Sequence, residues 1–184
     1  MDVTPPDVTL VAGGARSGKS SFAQRLVEQS AVDQSASSRV FLATAEARDG
    51  EMQARIARHQ SDRDDSWRTV EEPLELSAAL EREAASGRAI LVDCLTLWLS
   101  NILLAERDVE QEIERLAALL RNWKGGSVVL VSNEVGQGIV PDNALAREFR
   151  DHAGRLNQAV AAAATTVWRV DFGIPQQLKG GPAK

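Results

Sequence analysis

The chain has 184 residues, enough for one compact domain (residues 1–184) with a sizeable core and too few for two comfortable ones. Hydrophobic residues make up 43% and charged ones 26%, which excludes a disordered or fibrous chain. The formal charge of −5 argues against the concentrated basic surface that broad nucleic-acid binding needs. Met1 to Asp7 is polar and proline-bearing, unlike a secretory leader. Val8 to Ala12 then reads as a short buried strand, and Ser21 to Glu28 as the first turns of a helix. Gln29 to Ser38, rich in serine and other polar residues, reads as a surface loop. A second strand is expected at Val40–Thr44, a helix at about Gly50–Asp62, another at Pro73–Ala85 and a strand at Ala89–Asp93. Helices over Leu95–Leu104 and Val109–Trp123, a strand at Ser127–Ser132, a helix over Asp142–Ala163 and a strand at Thr166–Val170 follow. Gly180 to Lys184 reads as a frayed tail.

Strands alternating with helices imply a mostly parallel sheet covered on both faces. Ligands of such sheets sit beyond the carboxyl ends of the strands, where Gly13, Thr44, Asp93 and Asn133 all fall. Cys94, the only cysteine, lies in an apolar run and reads as a buried structural thiol of a reducing compartment. Asp93, Thr96, Ser100 and Asn101 interrupt the run from Ala89 to Leu104, which leaves it too short and polar to span a membrane, so a cytoplasmic protein is expected.

The chemistry concentrates between the first strand and the first helix. Gly13, Gly14, Ala15, Arg16, Ser17, Gly18, Lys19 and Ser20 match in full the glycine-rich loop whose backbone N–H groups cradle phosphates. This points to a nucleoside triphosphate, with Lys19 reaching its β- and γ-phosphates and Ser20 ligating Mg²⁺. Asp93, at the end of an apolar strand, suits the same Mg²⁺ directly or through water; it equally suits the cap of the helix that starts at Leu95. On a helix, Arg55, His59 and Arg63 share one stripe, which fits an anionic ligand and keeps the imidazole neutral as nucleophile or base. The same wheel sets His59 beside Met52 and Ile56, so a core-facing histidine fits as well. His152 reads as structural, and Trp67, Trp98, Trp123 and Trp168 as core or interface rather than a stacking platform. Asn133 to Asn143, with two glycines and a proline, reads as a shaped loop over the site.

Beyond the phosphate loop, the chain carries Ala43-Thr44-Ala45, then Asp49-x-Glu51-Met52-x-x-Arg55-Ile56-x-x-His59-x-x-x-Arg63, then Trp67 to Pro73, and Val131 to Pro141. With these marks it resembles, over nearly its whole length, the bifunctional adenosylcobinamide kinase and adenosylcobinamide-phosphate guanylyltransferase family of cobalamin biosynthesis. The resemblance implies an α/β fold of P-loop NTPase type, RecA-like, with a mostly parallel central sheet and helices on both faces. It implies two reactions: phosphorylation of adenosylcobinamide by ATP or GTP, and transfer of GMP from GTP to the phosphorylated corrinoid through guanylylated His59. GTP contacts are implied at Gly13 to Ser20, at Thr44, Ala45 and Glu46, at Gln60, Ser61, Asp62 and Arg63, and at Glu71 and Asp93. Lys19 is then a catalytic group of the kinase step, and the partners are a small-molecule corrinoid and nucleotides, with no nucleic acid, in a homotrimer. Two rival readings stand beside this one. The first is a single-step small-molecule kinase with a structural His59. The second is a nucleotide-dependent switch or motor, which the absence of an Asn-Lys-x-Asp guanine-reading motif and the acidic charge disfavour.

Overall fold

The computed structural model describes residues 7–30, 39–45, 66–84 and 88–181. Their strands form one seven-stranded sheet. In chain order the elements are β1 (Val8–Gly13), α1 (Lys19–Ser30), β2 (Arg39–Ala43), β3 (Trp67–Glu71), α2 (Leu76–Glu83), β4 (Ala89–Asp93), α3 (Leu95–Leu104), α4 (Val109–Arg121), β5 (Val128–Asn133), α5 (Ala144–Ala163), β6 (Thr166–Asp171) and β7 (Ile174–Lys179). The strands lie in the order β3-β2-β4-β5-β1-β6-β7. Every neighbouring pair is parallel except the β6–β7 hairpin.

The near-continuous apolar strands follow from burial on both faces, because successive side chains point to opposite sides. Val8, Leu10, Val40, Leu42, Ile90, Val92, Val128 and Leu130 point to one face, against Leu76 and Leu80 of α2, Trp98 and Ile102 of α3, Leu116 of α4 and Leu156 of α5. The alternate residues Val11, Phe41, Leu91, Val129, Val131 and Val170 point to the other, which α1 covers with Ala23 and Val27. All four tryptophans serve this core. Trp98 is fully buried and donates Nε1–H to the Leu74 carbonyl at 2.9 Å, and Trp123 is buried with its Nε1–H on the Gly126 carbonyl at 2.7 Å. Trp67 and Trp168 are half-buried and pack edge-on against Phe41 and Phe22, at 6.4 and 5.2 Å between ring centres.

Several expected boundaries move, each for a local reason. The helix anticipated from Pro73 begins at Leu76, because the Glu72 carboxylate accepts from the backbone N–H groups of Leu74 and Glu75 at 3.2 and 2.9 Å and holds that stretch as a turn. The helix anticipated from Asp142 begins at Ala144, with Asn143 as its N-cap accepting from Ala146 at 3.1 Å. Gln29 and Ser30, read as loop, complete α1; residues 31–38 and the helix anticipated over 50–62 lie outside the described residues. The strands β3 and β7 were not anticipated at all. In the expected tail, Gly181 accepts at 3.1 Å from Gln177 Nε2. No helix among the described residues is long and apolar enough to cross a membrane.

Candidate active site

The loop after β1 is shaped by contacts on three sides. Gly13 lies so close to β6 that a Cβ there would stand 2.4 Å from the Val170 carbonyl oxygen and 2.6 Å from Ser17 Oγ, which only glycine avoids. Gly18 adopts φ +92°, a left-handed conformation, and the loop closes with Ser17 N–H on the Gly14 carbonyl at 3.3 Å. On the C-terminal side, Phe172 and Gly173 both have positive φ, at 55° and 80°, as a two-residue hairpin turn of type I′ requires. That turn donates Gly173 N–H to the Ser17 carbonyl at 2.8 Å, and on the other flank Glu134 N–H donates to the Gly13 carbonyl at 3.0 Å.

The result is a rigid cradle at the N-terminus of α1, where the helix dipole favours anions. Lys19 is 7% exposed, and its Nζ donates to the Gly14 carbonyl at 3.0 Å, so a buried ammonium lies folded over the loop. Ser17 Oγ is buried with no hydrogen-bond partner among the described residues, a group that an arriving phosphate oxygen can satisfy. Ser20 is half-buried on the first turn of α1, and Ala15 and Arg16 stand exposed at the tip of the loop.

Asp93 ends β4, two strands from β1, with β5 between them. The N-cap of α3 is Cys94, so Asp93 stands one residue before the cap position. Cys94 is buried, as anticipated; burial first, and then the neighbouring Asp93 charge, raise its thiol pKa above the ordinary value. Thr44 is fully buried. Its hydroxyl donates to the Cys94 carbonyl at 2.7 Å and accepts from Cys94 N–H at 2.9 Å; its own N–H donates to the Asp93 carbonyl, and its carbonyl accepts from Asn101 Nδ2 at 2.8 Å. These bonds lock β2 to β4. Ala45 is half-buried beyond it, and Glu71 is exposed at the end of β3, in register with Ala43. His59, Glu46 and Gln60 to Arg63 lie outside the described residues. His152 packs on α5 with Nε2 3.9 Å from Glu148, remote in role from this crevice.

Sequence reasoning did not anticipate how the loop after β5 is held. Arg147 donates to the carbonyls of Pro141 and Asp142 at 2.8 and 2.7 Å, Arg150 to that of Gly136, and Arg169 to Gln137 Oε1 at 3.3 Å. Arg147 and Arg150 on α5 were the available signal.

A parallel α/β sheet with a glycine cradle at β1, a buried lysine closing it and a carboxylate two strands away defines a P-loop nucleotide-binding protein. The chain belongs to the family described as cobinamide kinase / cobinamide phosphate guanyltransferase, whose model matches residues 9–178. It is 48% identical over 174 residues to the bifunctional adenosylcobalamin biosynthesis protein CobP of Pseudomonas aeruginosa, covering 94% of this chain and 98% of that one. It is 42% identical to the bifunctional adenosylcobalamin biosynthesis protein CobU of Salmonella typhimurium, covering 92% and 98% respectively. A solved structure from Pyrococcus horikoshii OT3 shares the fold at 11% identity and a TM-score of 0.53, over 95% of this chain and 86% of that one.

Proposed function

We propose that this chain carries out both reactions of its family within one nucleotide-binding domain. In the first, the terminal phosphate of ATP or GTP moves to the hydroxyl of the aminopropanol arm of adenosylcobinamide. In the second, His59 attacks the α-phosphate of GTP, pyrophosphate leaves, and the phosphorylated corrinoid takes GMP from the histidine to give adenosyl-GDP-cobinamide. The observation that carries the reading is a built phosphate cradle closed by a buried lysine, in a chain of this family. The cradle amides and Lys19 neutralise charge on the transferring group, and Arg55 or Arg63, four residues to either side of His59 in the sequence, would steady the α-phosphate.

Ser20 and Asp93 would hold Mg²⁺. A hydroxyl and a carboxylate, both half-buried, are the few oxygen donors this ion takes alongside phosphates and water. Bound there, it neutralises phosphate charge. Asp93→Asn keeps the shape but removes the charge, so the Mg²⁺ concentration for half-maximal kinase rate should rise about ten- to a hundredfold with the melting temperature retained. An unchanged Mg²⁺ dependence would take Asp93 out of the metal shell.

The same reading makes the protein cytoplasmic and homotrimeric. Exposed apolar side chains at Ile139 (97%), Phe172 (96%), Ile174 (69%) and Leu178 (60%) support an interface between copies. The function is tested with GTP labelled at the α-phosphate: acid-labile label retained on denatured protein is the expected result. A protein that transfers phosphate without ever retaining label would be a single-step kinase with a structural His59.

A further inference from the structure

The carboxyl end of β5 carries a side chain that the two-reaction reading leaves without a role. Asn133 is in register with Gly13, the first glycine of the cradle, and its strand separates that cradle from Asp93. Its carboxamide nitrogen is turned toward the start of α3. Nδ2 donates to Thr96 Oγ1 at 2.7 Å and lies 3.9 Å from Cys94 Sγ, so both N–H bonds point into the β4–α3 junction. Thr96 is itself 4% exposed, with its hydroxyl 3.2 Å from Cys94 Sγ. The Asn133 carbonyl on the main chain is held by Asn157 Nδ2 at 3.3 Å, and Asn157 is in turn engaged by Ser132 at 2.6 Å. The side-chain hydrogen bonds of Asn133 to the described residues all run through Nδ2, and the residue is half-buried rather than sealed in the core. Oδ1 is therefore left at the carboxyl end of β5, the strand between the phosphate cradle and Asp93.

A carboxamide oxygen has no proton to give, and phosphate oxygens are acceptors as well, so Oδ1 does not suit the nucleotide's phosphates. Its partner is an O–H donor lying beside them. Resting on the kinase reading above, we propose that Asn133 Oδ1 accepts the hydrogen bond of the alcohol that receives the phosphoryl group. This contact aims one lone pair of the hydroxyl oxygen at the γ-phosphorus. In the step, the alcohol oxygen forms a bond to that phosphorus. The bond from the phosphorus to the β–γ bridging oxygen breaks, and the nucleoside diphosphate leaves with the electron pair. The hydroxyl proton passes to a phosphoryl oxygen or to solvent, since the amide cannot hold it. Asn133 is thus a catalytic residue by contact, and Thr96 is the positioning residue that keeps its carboxamide from turning.

The test is steady-state kinase kinetics with adenosylcobinamide and ATP on wild type, Asn133→Ala and Thr96→Val, with the melting temperature of each. Asn133→Ala is expected to lower kcat about a hundredfold while the KM for ATP moves less than about threefold, because the hydroxyl loses its aim and the nucleotide loses nothing. Thr96→Val retains Oδ1 but frees the amide, and should show the same split at about tenfold. If Asn133→Ala fails to fold, Thr96→Val decides alone. Unchanged kcat in both variants, or a loss that follows the ATP KM or the melting temperature, overturns the proposal. A wild-type protein that phosphorylates no cobinamide would overturn the kinase reading beneath it instead.

Discussion

Lys19→Ala is expected to abolish phosphoryl transfer, with a loss of about a thousandfold or more, equivalent to ~4 kcal/mol of barrier. The ammonium is nearly buried and donates to the Gly14 carbonyl, so a polyanion entering the cradle finds a cation already desolvated and already at the loop. As the bridging bond breaks, charge moves from the γ-phosphoryl group toward the leaving oxygen, and a flexible lysine is the group able to follow it. The cradle amides remain in Lys19→Ala because the glycine conformations and the braces from Val170, Gly173 and Glu134 do not depend on the lysine side chain. Binding should therefore weaken less than turnover. A single-turnover assay with ATP measures this, and wild-type rates in a folded variant would remove Lys19 from the role.

His59→Ala separates the two activities. Covalent GMP and its transfer to the phosphorylated corrinoid should both disappear, since neither Arg55 nor Arg63 is a nucleophile at neutral pH. On the proposed mechanism the kinase step needs the cradle and Mg²⁺ rather than His59, and should fall by at most about tenfold, or ~1.4 kcal/mol. A histidine that only packs predicts another pattern, in which both activities drop together with the melting temperature. Measuring both rates and the melting temperature on one preparation distinguishes these outcomes, and retained guanylyl transfer would end the assignment.

What the sequence made legible follows the physics of each segment. β4 and α3 have the bounds expected of them, because an unbroken apolar run ending in Asp93 leaves one register for a strand buried on both faces. β3 was missed because it is an edge strand: Thr69 and Glu71 are exposed, and its run of Trp67, Arg68, Thr69, Val70 and Glu71 has no apolar periodicity to detect. β7 was missed for a similar reason, with Pro175 and two glutamines in a strand at the edge of the sheet that the described residues form. The cradle is a local motif and was readable residue by residue. The partners of Thr44 and Asn133 were not, because Cys94, Thr96 and Asn101 reach them only once β2, β4 and β5 lie side by side.

The hairpin turn at Phe172–Gly173 joins segments far apart in the sequence. The cradle is written in residues 13–20, yet one of its walls is the Val170 carbonyl and one of its clasps is the Gly173 N–H. During synthesis, residues 13–20 must wait for residues 170–173 before the loop takes its final shape, a closure of high sequence separation that is slow to form. Loosening of the β6–β7 hairpin is therefore expected to loosen the loop, and a ligand that binds the closed loop is expected to guard the hairpin from local opening as well.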